Sequence, residues 1–186
     1  MRLRSGLLIG IFGLIVVLLG GWVFTLAIAL LTYLALLEFF RMAEFKGIKP
    51  ATKTTLFSSF IIIVTTYLET TGLLEGEISK SILPICSVGI CTWLLLQPKP
   101  GTISDIAASI FGLFYLGFLP SYWIKLRGLE SVIISSNQGF ISFENLSNTT
   151  GLNLTLTSCF LIVASDIGSY FVGKSFGKKS LSPISP

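Results

Sequence analysis

Residues 5–37 run for 33 positions without one charged side chain, and nothing else in the sequence narrows the possible folds so much. As one α-helix the stretch would be roughly 50 Å long at 1.5 Å per residue. The hydrocarbon core of a bilayer is about 30 Å thick and takes about 20 helical residues. The run is therefore too long for one ordinary crossing and short for two. Gly20-Gly21 near its middle permits a tight reversal, because glycine reaches backbone conformations closed to other residues. Arg2 and Arg4 precede the run, and Arg41, Lys46, Lys49 and Lys53 follow it. Basic segments stay on the cytoplasmic side, so the run is predicted to be a hairpin of two short passes with both ends on that side. Two arginines before an apolar run also resemble a secretory signal. The run far exceeds such a signal's apolar region and shows no small-residue cleavage site, so a retained anchor is expected.

The rest of the chain follows the same pattern. Hydrophobic residues make up 52% of the 186 and charged residues 12%, about half the charge of a soluble domain. A water-soluble globule of this size exposes too much surface to hide so many apolar side chains. Further passes are predicted at 56–68, at 78–96 across Pro84, at 103–123 with Tyr122 and Trp123 at an interface, and at 152–172. The expectation is an all-α, polytopic bundle of about six transmembrane helices. With the N-terminus inside, Arg2, Arg4, Arg41, Lys46, Lys49, Lys53, Lys99, Lys174, Lys178 and Lys179 fall on the cytoplasmic side, and Lys80, Lys125 and Arg127 on the other. This asymmetry supports six passes with both termini cytoplasmic. The acidic turn from Glu69 to Glu77 lies outside, which weighs little in this rule. Sequons at Asn145, Asn148 and Asn153 in a polar outer loop are unsurprising matches and do not argue for glycosylation.

Several chemistries drop out. The chain has no histidine, and Cys86, Cys91 and Cys159 are odd in number, lack a CxxC pair and lie in or beside apolar runs. A zinc site, a disulfide framework and Ser-His or Cys-His catalysis are thus unsupported. Carboxylates, lysines, hydroxyls, backbone and metal remain. The net charge of +4 follows the membrane flanks, and no nucleic-acid partner is expected.

The chemistry-bearing stretch lies at 165–186. Asp166 is the lone acid of the last apolar segment. A carboxylate at that depth is costly unless it faces a wet cavity, a metal or a cation. The plainer reading has it solvated near the cytoplasmic end or paired with Lys174. Glycines follow at 168, 173 and 177, lysines at 174, 178 and 179, and hydroxyls at 169, 175, 180, 182 and 185. Glycine lets backbone N–H groups approach a phosphate and lysine adds point charge, so a helix leaving the membrane into such a loop suits a polyphosphate or a phospholipid headgroup. A plain basic flank explains the lysines but not the glycine spacing. Residues 168–175 also fit GxxxxGK[ST], but that motif counts only between a strand and a helix of a soluble α/β domain. The match is read as accidental.

Asp166-x-x-x-Tyr170-x-x-Gly173-Lys174-x-Phe176-Gly177-Lys178, then Leu181-x-Pro183-x-Ser185-Pro186, resembles the segment before the signature of phosphatidate cytidylyltransferases. Weaker echoes lie in Glu38-Phe39-Phe40-Arg41 with Gly47 and Pro50, and in Phe114-Tyr115-Leu116-Gly117 running to Arg127. The resemblance implies a CTP-dependent nucleotidyltransferase that converts CTP and phosphatidate to CDP-diacylglycerol and pyrophosphate. It implies Asp166 as a catalytic residue lining a polar cavity, and Lys174, Lys178, Lys179 and Ser185 on substrate phosphates. It also implies Mg2+ as cofactor, with its aspartate ligands expected beyond Pro186, so that the chain is the N-terminal portion of a longer enzyme and inactive alone. In those terms residues 1–55 are an N-terminal transmembrane hairpin and cytoplasmic loop. Residues 56–151 are the middle helices and outer loop, and 152–186 the start of the catalytic domain. The expected partners are CTP, phosphatidate, the lipid bilayer and a second copy in a homodimer. The setting would be the cytoplasmic membrane if the chain is bacterial. The rival readings are a transporter or channel subunit, which also breaks helices with glycine and buries polar groups, and a related polyprenol kinase.

Overall fold

The computed structural model describes residues 2–98, 100–129 and 150–176. These residues form six helices: α1 Arg2–Leu19, α2 Gly21–Phe45, α3 Thr52–Thr70, α4 Ile78–Leu95, α5 Ile103–Arg127 and α6 Thr150–Phe176. No strand occurs among the described residues. Helices α2, α4, α5 and α6 are each long and apolar enough to cross a membrane. Their outer faces agree with a lipid solvent: Trp22 and Leu30 on α2, Trp93 on α4, Phe111 on α5 and Phe160 on α6 are all exposed. The chain is an all-α integral membrane protein.

The uncharged N-terminal run does break at the paired glycines. Gly20 sits at φ +60°, ψ −155° and Gly21 at φ +51°, a region in which a Cβ is strained. A Cβ on Gly20 would also come within 2.7 Å of the Arg127 guanidinium. Arg127 needs that room because its Nε donates to the carbonyl of Val17 at 3.0 Å and its Nη2 to that of Leu18 at 3.4 Å. These are carbonyls of the last turn of α1, which have no partner within the helix, and a cation there also suits the helix dipole. Among the described side chains of α1, only those of this last turn dock. Val16 is buried, whereas residues 9–15 are exposed.

Helix α3 occupies the centre of the bundle and meets α2, α4 and α5. It is the least apolar of the central helices, with Thr55, Ser58, Ser59 and Thr66 buried beside Ile62 and Ile63. In lipid this is the favourable arrangement, since apolar residues gain nothing by leaving acyl chains and small residues let helices approach. Three of these hydroxyls bond to carbonyls four residues back: Thr55 donates to Ala51 O at 2.9 Å, Ser59 to Thr55 O at 2.9 Å and Thr66 to Ile62 O at 2.7 Å. The helix therefore includes the threonine-rich ends beyond the apolar stretch at 56–68.

Helix α5 is not uniform. After Ile103–Phe111 it widens to a π-helix at Gly112–Phe118, and Leu119 N–H reaches back five residues to Phe114 O at 3.1 Å. Pro120 follows, and its ring would clash with the carbonyl four residues earlier in a regular α-helix, so the wide turn has a local cause. Gly112 lies under Leu36 and Phe40, and Gly117 lies against Ser59. Both glycines bring α5 close to α2 and α3.

The bundle has two ends. At one, Lys49 meets Asp105, and Leu94 packs on Gly101. At the other, Glu69 meets Ser79 and Lys125, and Thr70 packs on Gly128. Lys46, Lys49 and Lys53 thus belong to one end, and Lys80, Lys125 and Arg127 to the opposite end. Glu69 fastens its end by joining three helices. One carboxylate oxygen accepts from the backbone N–H of Ser79, and the other accepts from Ser79 Oγ at 2.9 Å and pairs with Lys125 Nζ at 2.9 Å. With its side chain only 7% exposed, Glu69 cannot be removed without stranding its partners. Glu69→Ala is expected to cost about 3 kcal/mol, read as a lower unfolding temperature in detergent, with Glu69→Gln intermediate. The Glu77–Lys80 pair at the same end is exposed; the Lys80 ammonium holds the Glu77 carboxyl below its usual range, and the pair adds little stability.

Candidate functional site

Asp166 and Lys174 both lie on α6, which is a continuous helix through Phe176. This corrects the expectation of a glycine-spaced loop over residues 173–176, and the rest of that loop lies outside the described residues. Gly168 and Gly173 are helical, so their N–H groups point along the helix to carbonyls four residues back and are not free to cradle a phosphate. The same helix removes the strand–loop–helix setting a P-loop needs. Any grip on phosphate from residues 165–176 must come from side chains. Lys178, Lys179 and Ser185 lie outside the described residues.

The helical register brings several of these residues to one face. Asp166, Ser169, Tyr170, Gly173 and Lys174 are spaced by three and four and share one face. Asp166 and Lys174 are about 12 Å apart along the axis, too far for a direct pair. Among the described residues Asp166 forms no salt bridge. Ser169 Oγ donates to the backbone carbonyl of Asp166 at 2.9 Å, leaving the carboxylate to other groups. The carboxylate stands about ten residues, or roughly 15 Å along the axis, before Phe176, the last described residue of the helix.

What holds α6 in place is its first turns alone. Gly151, Leu152 and Thr155 are buried, and Thr155 Oγ1 donates to Gly151 O at 2.7 Å. Gly151 lies against the C-terminal turn of α5 so closely that a Cβ would stand 2.6 Å from Arg127 O. Beyond Phe160 every residue with a described side chain is exposed, including Leu161, Ile162, Val163, Ile167, Tyr170 and Phe171. The Asp166 face therefore has no partner within the described part of the chain. Among the described residues no three Asp, Glu or Cys side chains gather as a metal site. Asp166 supplies one carboxylate, so the residues present do not by themselves fit a Mg2+ centre.

A second polar site escaped the sequence reading. Asp105, 6% exposed, accepts from the backbone N–H of Lys49 at 2.6 Å through Oδ1 and from that of Thr102 at 2.7 Å through Oδ2. Thr102 Oγ1 accepts from Asp105 N–H at 3.3 Å, completing a reciprocal cap on α5. Thr102-x-x-Asp105 before an apolar run was the available signal; its tie to Lys49, 56 residues away, was not.

The model of the cytidylyltransferase family matches residues 1–186, the whole chain. The chain belongs to the cytidylyltransferase family. Within it, the chain is 40% identical over 177 residues to a Synechocystis protein named phosphatidate cytidylyltransferase, a match covering 91% of this chain and 58% of the relative. It is 35% identical to phosphatidate cytidylyltransferase 5, chloroplastic, of Arabidopsis thaliana, covering 100% of this chain and 48% of that one. A phosphatidate cytidylyltransferase of Bacillus subtilis is 27% identical, over 100% of this chain and 62% of the relative. The chain thus spans about half the length of these family members. No solved structure matches.

Proposed function

We propose that this chain forms the membrane-embedded part of a phosphatidate cytidylyltransferase, together with the helix that presents Asp166 and Lys174 to the reacting phosphates. The observation that carries this reading is the 40% identity to the Synechocystis relative across 91% of the chain. It favours this enzyme over the transporter, channel subunit and polyprenol kinase readings. In the reaction, a phosphatidate oxygen attacks the α-phosphorus of CTP, the bond to the β-phosphate oxygen breaks, and pyrophosphate leaves with CDP-diacylglycerol as product. Such phosphoryl chemistry demands positioning and neutralisation of charge more than covalent help from side chains, which suits a chain without histidine. Lys174 would neutralise phosphate charge, with Lys178, Lys179 and Ser185 completing the contacts, and Asp166 would orient a cation or a lysine in the polar cavity. Mg2+ belongs to the proposal as the divalent cation of the substrate complex; no step is assigned to it, because the described residues supply one carboxylate. The lysine-rich end of the bundle and Lys174 would face the cytoplasm, in the cytoplasmic membrane of a bacterium. The unpartnered faces of α1 and α6 leave room for a homodimer.

The test joins this chain to the C-terminal part of the Synechocystis relative. Reconstituted in vesicles, the chimera is expected to convert labelled CTP and phosphatidate to CDP-diacylglycerol, while the 186-residue chain alone stays at the blank. A folded chimera that leaves both substrates untouched would remove the reading.

A further inference from the structure

A cavity of about 780 Å³ opens at the lysine-rich end of the bundle, between the connection from α2 to α3 and that from α4 to α5. Lys46, Lys49, Gln97, Thr102 and Ser104 are among the residues that line it. The Asp105 carboxylate fixes its shape by binding the backbone N–H groups of Lys49 and Thr102, one from each connection. Both carboxylate oxygens are thereby occupied by amides, and among the described residues neither Lys46 nor Lys49 forms a salt bridge. Two ammonium groups thus stand at a preformed cavity whose one acidic lining residue, Asp105, already has both carboxylate oxygens bonded to backbone amides.

The surroundings say what kind of anion fits. Phe45, Leu96 and Ile103 are 86%, 78% and 87% exposed, and each is a sequence neighbour of a lining residue: Lys46, Gln97, and both Thr102 and Ser104. All three stand where the membrane helices end. A soluble anion has no use for such a rim, whereas a phospholipid places its phosphate among donors and its acyl chains on apolar side chains. We propose that this cavity binds the phosphate headgroup of an anionic phospholipid at the membrane surface. The site lies apart from the Asp166 face and does not depend on the cytidylyltransferase reading.

Phosphatidylglycerol is a suitable probe because it is not a substrate of the proposed reaction. Titrated into the purified 186-residue chain in detergent, it is expected to raise the unfolding temperature, with phosphatidylcholine and inorganic phosphate without effect. Lys46→Gln with Lys49→Gln is expected to weaken that response tenfold or more, from the attraction basic residues exert on anionic lipid. Lys53→Gln, exposed at the same end but outside the cavity, is expected to leave it unchanged. Equal loss in the Lys53 variant, full retention in the double variant, or full reproduction by inorganic phosphate would overturn the proposal. Should the double variant not fold, photocrosslinking of the unmodified chain with a headgroup-labelled phosphatidylglycerol decides. Adducts at 46–49, 97–98 or 100–105 support the site, and adducts only elsewhere overturn it.

Discussion

Replacing Asp166 by alanine is expected to lower CDP-diacylglycerol formation by the chimera about 100-fold or more. The expectation follows from depth and solitude. The carboxylate lies within the apolar last helix, about two turns before Lys174, on a face without a partner among the described residues, so within a membrane its desolvation must be offset by a cation or by water in a polar cavity. Charge placed in such an environment acts on phosphate chemistry far more strongly than at a surface, and a single stabilising group removed from a preorganised site commonly costs 10²–10³ in rate. Asp166→Asn separates charge from shape and should be nearly as impaired. Lys174→Ala, on the same face but nearer the water, should lose about tenfold, with Lys174→Arg retaining most activity. Steady-state rates against CTP concentration check both. Undiminished turnover in Asp166→Ala would strip the residue of its assigned role.

Gly151→Ala is expected to impair the enzyme without touching any substrate. The added methyl would stand 2.6 Å from Arg127 O and 3.0 Å from Leu126 O, and neither backbone carbonyl can swing aside as a long side chain can. Overpacking of this kind costs about 1–3 kcal/mol. Here it falls on the close approach of α6 to the C-terminal turn of α5, 15 residues before Asp166. A displacement of about 1 Å at a reacting centre can cost 100-fold in rate, so activity should fall by one to two orders of magnitude while helix content is preserved. Gly13→Ala, where a Cβ meets nothing within 4 Å, is the control and should be neutral. Activity of the two chimeras, with circular dichroism for helix content, reads the outcome.

Much of the architecture was legible because lipid makes few demands and makes them by length. The break at Gly20-Gly21 and helices α4 and α5 near the expected positions follow from apolar runs of spanning length and the glycines between them. Helix α3 was harder, since its threonine and serine face is buried against other helices, and hydropathy registers polarity without registering a protein neighbour. The tail misled for a related reason. Gly173 suggested that the chain left the helix there for an open loop, yet a glycine costs a helix only about 1 kcal/mol, a penalty a helix as long as α6 can absorb. The shared face of Asp166 and Lys174 was nonetheless implicit in their spacing. Glu69 with Lys125 and Asp105 with Lys49 could not be read, because nothing local announces a partner more than 50 residues away.

The claim on which the rest depends is that α6 delivers Lys174 to the same membrane side as Lys46, opposite Lys80. Single cysteines at these three positions, in a background with Cys86, Cys91 and Cys159 replaced by serine, can be probed in intact cells with a membrane-impermeant maleimide. The account predicts that Lys80→Cys is labelled from outside, and that Lys46→Cys and Lys174→Cys react only once the membrane is opened. Labelling of Lys174→Cys from outside would contradict it.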